Sequence, residues 1–296
     1  MKTMKLRFVI VLAVVAIILN GYSFNWWHKH LKEEREVSNV QSNIAQRSIS
    51  ISDVTYDEDS ELPESKNYKN AVDYFRKNDY IIAINELNAD LERNPNHAQS
   101  YFLLGKIYED ATFPDGKYFS KMVNNYEKYI ELRPHGLRVE YAKLKSAQYF
   151  ISIGLMQQNT EALEKAENYL ITLNQDDNDV RMGLGAIYLD KKNFKQAIAE
   201  FEKSANLQPN ELRLKYNSLG LAYIQTGRYG NAENVLKIAI QIEPKNKFAH
   251  NNLGFVFMRL RKFKEAESQF EEALKIDPKY KNAKDNLDWL HSPYAK

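Results

Sequence analysis

The chain has 296 residues, 44% of them hydrophobic and 27% charged, which is enough to bury a sizeable core, and its 11 Gly and 8 Pro are too few for a low-complexity protein. Lys2, Lys5 and Arg7 precede an apolar stretch, so three of the 41 basic residues belong to that flank and 38 are left to face 39 acids. This balance removes the electrostatic attraction on which nucleic-acid binding depends, and the absence of Cys excludes a disulfide framework and a thiolate metal site.

Phe8 to Leu19 (FVIVLAVVAIIL) is an uninterrupted apolar run behind those three charges, followed by Asn20 to Trp27 (NGYSFNWW). Two readings fit. A cleaved signal peptide would use the basic flank, the apolar run and Gly21-x-Ser23 as a small-x-small cleavage site. An uncleaved helix from Phe8 to Trp27 would span about 30 Å of bilayer, with Trp26 and Trp27 at the far interface. The paired Trp and the weak cleavage site favour the anchor, so residues 1–27 are read as a signal anchor, a transmembrane helix set in the lipid bilayer. The basic flank places the N-terminus inside, although Lys29, Lys32 and Arg35 on the other side weaken that bias.

Residues 28–63 read as a polar linker. His28 and His30 are two apart, so on a helix they point to different faces, and no acidic or thiol ligand set accompanies them; they read as interfacial side chains rather than metal ligands. Ser48 to Val54 alternates Ile49, Ile51 and Val54 like a short strand, and five acids and a Pro follow between Asp57 and Glu64. A flexible tether is the simpler reading, and a strand added to a partner's sheet edge the sharper one.

From residue 64 a helical pattern with a fixed period takes over. A first unit, 64–97, has Ala71, Tyr74, Ala83, Leu87 and Pro95, with Asn78-Asp79-Tyr80 as its turn. A second, 98–136, has Tyr101, Leu104-Gly105 and Tyr108, with about five residues inserted around Thr112 to Gly116 (TFPDG), a turn signal that makes a protruding loop. A third, 137–177, is the most degenerate: Ala142, Ala147, Phe150 and Leu155, then Ala162, Ala166 and Leu170, with no Leu-Gly in register. It reads as a drifted helix pair or as a bend between an N-terminal and a C-terminal half. The next three, 178–211, 213–246 and 247–280, match closely. Ser218-Leu219-Gly220, Ala232, Ala239 and Pro244 recur 34 residues later as Asn252-Leu253-Gly254, Ala266, Ala273 and Pro278, and 35 residues earlier, or 34 for Ala239, as Leu184-Gly185, Ala197, Ala205 and Pro209. Small residues suit crossing helices, Tyr188, Tyr223 and Phe257 fill the space beside each Gly, and each Pro is expected to stop a second helix. Residues 281–291, with Ala283, Leu287 and Leu290 among charges, read as a capping helix in which Trp289 packs as part of the cap.

This pattern resembles the tetratricopeptide repeat, a helix-turn-helix unit that stacks into a solenoid. The resemblance implies an all-α, right-handed α-solenoid over 64–291, with about six units and a C-terminal cap behind the transmembrane helix. It also implies a non-catalytic binding module. No catalytic constellation opposes that: His97, His135, His250 and His291 are scattered, Gly183-x-Gly185 has no strand before it, and no cofactor site is expected.

In the family the first helix of each unit lines the concave face. Carried over residue by residue, this implies a groove of Met182, Gly183, Ala186, Leu189 and Asp190; Asn217, Ser218, Leu221, Ile224 and Gln225; and Asn251, Asn252, Phe255, Met258 and Arg259. Asn217, Asn251 and Asn252 resemble the asparagines with which such domains hold a peptide backbone, the alternative being bonds within their own solenoid. The basic clamp that some members use for a C-terminal carboxylate is not reproduced, since Met182 and Gly183 stand where it needs a charge and an amide. The implied protein is an adaptor in the bacterial inner membrane, its repeats in the periplasm, binding protein partners in an envelope or membrane complex and no nucleic acid. The alternatives are a self-associating structural subunit and an accessory subunit of a membrane enzyme complex.

Overall fold

The structure, a computed structural model, describes residues 65–110, 117–205 and 207–292. These form 13 helices and no strand. In order they are α1 (Lys66–Arg76) and α2 (Tyr80–Arg93), α3 (Ala98–Asp110) and α4 (Lys117–Leu132), α5 (Val139–Gln157) and α6 (Thr160–Leu170), α7 (Asn178–Asp190) and α8 (Phe194–Lys203), α9 (Pro209–Gln225) and α10 (Tyr229–Ile242), α11 (Lys247–Arg259) and α12 (Phe263–Ile276), and finally α13 (Lys281–Leu290). Each of the first twelve packs most extensively on its partner in the pair, as an all-α array of hairpins requires. The expected transmembrane helix, the linker and the Thr112 to Gly116 insertion lie outside the described residues. Among the described ones, no helix is long and apolar enough to cross a membrane.

The array divides at Leu173 and Asn174 into two compact units. In the first, α1 to α6 close over Phe102, Leu103, Ile107, Tyr126, Tyr129, Leu163 and Leu170. In the second, Phe201, Leu236 and Phe270 sit at the centre of one apolar cluster with Leu219, Leu253 and Val256. The division falls at the end of the drifted third unit.

The turns explain why neighbouring helices fold back. Asn78, Gln158, Lys192, Gly227 and Arg261 all have φ between 52° and 71°. The N–H of the following residue then reaches back five positions, to the carbonyls of Tyr74, Gly154, Tyr188, Tyr223 and Phe257, at 2.8 to 2.9 Å. A left-handed residue closed by this bond ends the first helix and reverses the chain. The second helix reopens at once, at Tyr80, Thr160, Phe194, Tyr229 and Phe263.

Close approach of the paired helices rests on glycine. A Cβ on Gly105, Gly185, Gly220 or Gly254 would come within 2.6 Å of Tyr126, Phe201, Leu236 or Phe270 respectively. In the third pair the same device is displaced toward the turn, where Gly154 takes the Leu163 side chain at 2.6 Å. That shift removes Leu-Gly from its usual place without removing the close contact.

One expected role is corrected. Pro209 does not stop a second helix: α8 has already ended at Lys203, and Pro209 is the first residue of α9, behind a capping box in which the Glu211 carboxylate accepts from the Gln208 N–H at 2.8 Å. Proline suits that position because its φ is preset and the N–H it lacks has no helical acceptor. Pro95, Pro134, Pro244 and Pro278, by contrast, each follow a helix end.

Candidate partner-binding groove

First and second helices differ in how much of them is covered. α10 buries only Ala232, Leu236 and Ala239, and α12 only Ala266, Phe270 and Ala273, one stripe each. α11 buries seven of its 13 residues, because it is packed by α12, by α10 and by α9. α7, α9, α11 and α13 lie side by side in that order, so the positions around their glycines form rows running across the second unit.

Along these rows the residues expected to line a groove fall into three environments. Leu221, Ile224, Met182 and Met258 are partly buried against the apolar cluster, and Phe255 and Asn252 are partly exposed. Gln225 and Arg259 are open to solvent, and the Arg259 guanidinium lies 5.2 Å from the centre of the Tyr229 ring. Asn217 and Asn251 are covered, at 2% and 6% exposed. The Asn251 Oδ1 accepts from the Asn286 Nδ2 of α13 at 3.0 Å, whereas the Asn217 Oδ1 has no hydrogen-bond partner. Met182 Sδ accepts from Ser204 Oγ at 3.8 Å. What the arrangement offers chemically is apolar surface bordered by amides.

The first unit carries a different surface at the corresponding offsets. Lys106, Glu109 and Asp110 stand one, four and five residues after Gly105, where α9 has Leu221, Ile224 and Gln225. Glu109 accepts from Tyr126 at 2.8 Å and Tyr141 at 2.6 Å and pairs with Lys145 at 2.9 Å; Lys106 pairs with Asp110 at 2.9 Å. Burial alone would raise the Glu109 carboxyl, but the charges of Lys145 and Lys106 and the Tyr141 hydroxyl override it and hold it at about 2. For Asp110 burial wins, and its carboxyl is pushed up. The sequence does not mark Glu109 as part of a network, since Tyr126, Tyr141 and Lys145 come from α4 and α5; the one available signal was its offset from Gly105.

A second buried network braces α2 against α3. Asp90 Oδ2 accepts from Ser100 Oγ at 2.5 Å and faces His97 Nδ1 at 2.5 Å, while Ser65 bonds Oδ1. Burial raises the Asp90 carboxyl, yet bonds from Ser100, Ser65 and His97 bring it below the usual range. The Ser100 hydroxyl donates to the carboxylate, and all three side chains are sealed from solvent, so the grouping ties two helices together.

Comparison with known proteins agrees with the fold. Tetratricopeptide repeat models match residues 179–211 and 248–280, and a TPR repeat model matches 220–260. The chain therefore carries tetratricopeptide repeats over this part. Superkiller protein 3 of Schizosaccharomyces pombe (strain 972 / ATCC 24843) is 24% identical over 196 residues, 60% of this chain but 13% of that protein. Among solved structures, the APC/C hetero-tetramer Cut9-Hcn1 has a TM-score of 0.51 at 16% identity, covering 76% of this chain and 42% of that one. YrrB, described as a TPR protein with an unusual peptide-binding site, has a TM-score of 0.50 at 15% identity and covers 67% of this chain and 96% of its own. The chain thus spans well under half of the first two.

Proposed function

We propose that this protein is a non-catalytic adaptor that receives a segment of a partner protein along the first helices of residues 174–292. Tetratricopeptide repeats generally mediate protein–protein interaction, and that coarse statement holds here. The observation that carries the finer reading is the apolar row of Leu221, Phe255 and Met258, only partly covered by the molecule's own packing. The reading extends to location: residues 1–27 tether the chain to a bacterial inner membrane, N-terminus inside, and the repeats support assembly or stability of an envelope complex from the periplasm. Its support is the apolar run Phe8 to Leu19 behind three positive charges.

Two experiments test it. A photo-reactive residue placed at Phe255 should crosslink in intact cells to one discrete protein, with no product from the same residue at Glu271 on α12. Equal labelling from both sites refutes the groove. A reporter active only outside the cytoplasm, fused after Lys296, should be active; activity of a cytoplasmic reporter there refutes the placement.

A further inference from the structure

The second helices of the repeat pairs differ at one exposed place. Counting three and four residues on from the left-handed turn residues Lys192, Gly227 and Arg261 gives Lys195 and Gln196, Gly230 and Asn231, and Lys264 and Glu265, all exposed and each polar or Gly. In the displaced third pair, Gln158 gives Glu161 and the buried Ala162. The same count from Asn78 gives Ile81 and Ile82 on α2, which are 70% and 43% exposed. Two large apolar side chains thus stand together in water where the other pairs put charges, amides or small residues. They belong to a second helix whose buried stripe is Ala83, Leu87 and Asp90, so this surface is separate from the row on the first helices.

The size of the patch narrows the occupant. Two isoleucines expose far less than the roughly 800 Å² per partner that a stable complex buries, whereas a segment tethered by a short connection needs little area because its effective concentration is near mM. Such a segment precedes α1 in the sequence. Ser48 to Val54 lies outside the described residues and carries Ile49 and Ile51, which point the same way in an extended chain. Ten residues, 55–64, separate it from Ser65, the N-cap of α1. Extended, they reach about 33 Å, twice the length of about 16 Å covered by the 11 residues of α1. Helix α1 ends at the turn that opens α2, so Ile81 and Ile82 are within reach.

Charge points along the same path. The stretch from Asp57 to Glu64 holds Asp57, Glu58, Asp59, Glu61 and Glu64 and no cation. On α1 and its turn the exposed charges are Lys66, Lys69, Arg76 and Lys77 against Asp73 and Asp79, an excess of cations, and Asp73 pairs with Arg76 at 3.3 Å. Lys66, Lys69, Asp73 and Arg76 follow one another at steps of three and four, along one side of the helix, from the Ser65 end to the turn. Each exposed pair is weak, but five acids beside that side favour one direction for the chain.

We propose that residues 48–54 dock on Ile81 and Ile82 of their own chain, while the acidic run 57–64 follows the basic side of α1. The docked segment covers both isoleucines and leaves 28–47, 20 of the 37 linker residues, as the free part. With residues 1–27 anchored, the repeats are then held within about 66 Å of the membrane instead of about 122 Å. Docking neither uses nor alters the first helices of residues 174–292, so it and the groove stand or fall separately.

The chain has no Cys, so introduced pairs report proximity without background. In the full chain under mild oxidation, Ile51→Cys with Ile82→Cys should close a disulfide within one molecule at least tenfold faster than Ile51→Cys with Asn168→Cys on α6, or Val40→Cys with Ile82→Cys. Adding Asp57→Asn, Glu58→Gln and Asp59→Asn should slow the first pair at least threefold. Without cysteines, hydrogen exchange over residues 48–54 should be at least tenfold slower than in the free peptide, and Ile82→Glu should abolish that protection. Both isoleucines of α2 are exposed, so these changes leave the fold intact. Equal closure rates for the three pairs, or exchange at free-peptide rates, overturns the proposal. A disulfide formed only between molecules also overturns it, since the occupant would then be a second copy. An unchanged rate after neutralising the acids overturns the path along α1.

Discussion

Gly220 and Leu236 are held so close that a Cβ on the glycine would meet the leucine Cδ2 at 2.6 Å. Leu236 is fully buried, so it has nowhere to retreat. Gly220→Leu is therefore expected to lower stability by about 1–3 kcal/mol through overpacking, read as the urea midpoint by circular dichroism. Adding Leu236→Ala should restore part of the loss by opening space. An unchanged midpoint for the single variant would mean that α9 and α10 do not cross here.

The turns give a prediction of opposite sign. Arg261 has φ 61°, a conformation that costs a side-chain-bearing residue about 1 kcal/mol and glycine almost nothing. Arg261→Gly should raise the melting temperature. Gly227 has φ 71° with open space around it, so Gly227→Ala should lower it through backbone strain alone. Shifts in the same direction for both would rule out this account.

Glu109 makes the first unit acid-sensitive. Its folded pKa, about 2, lies below its ordinary 4.5, so the stability it contributes is complete above about pH 4.5 and is lost as pH falls through 2. Asp90, also lowered, acts in the same direction. Asp110, raised, acts oppositely, because folding favours its protonated form. Glu109→Gln should destabilise at neutral pH by roughly 3–5 kcal/mol, since Lys145 keeps its charge and loses its counterion. The variant should also show a flatter decline between pH 5 and 2. A parallel decline in the two proteins would assign the acid response to other groups.

The two amides that differ in pairing should differ under mutation. Asn286→Ala removes the donor from the buried Asn251 oxygen, costing about 1–3 kcal/mol. Asn217→Leu removes an oxygen that has no partner, and its effect on stability should be much smaller. Differential scanning calorimetry on both variants decides; equal losses would show that Asn217 is engaged after all.

How far the sequence could be read depended on whether a contact is made between residues of fixed spacing. Gly185, Gly220 and Gly254 meet a side chain 16 positions on, so the period exposes them. The third pair hid its glycine because Gly154 meets Leu163 only nine residues later, near the turn. Pro209 misled because a proline after one helix and a proline opening the next look alike until the preceding helix end is known; here the connection from Lys203 to Pro209 is one residue longer than those from Ile242 to Lys247 and from Ile276 to Lys281. The Glu109 network was illegible for another reason. Its charges lie on α3, and the hydroxyls and amine that make them tolerable arrive from Tyr126, Tyr141 and Lys145 on other helices. Of the candidate groove, the residue types and their offsets were readable; the covering of Asn251 was not, because it involves Asn286 on α13.

Asp288 occupies on α13 the position that Gly220 and Gly254 hold on α9 and α11, and it is exposed. Any helix of another molecule that tried to continue the array at this end would have to press against a carboxylate and strip it of water. One side chain thus disfavours head-to-tail growth into a filament.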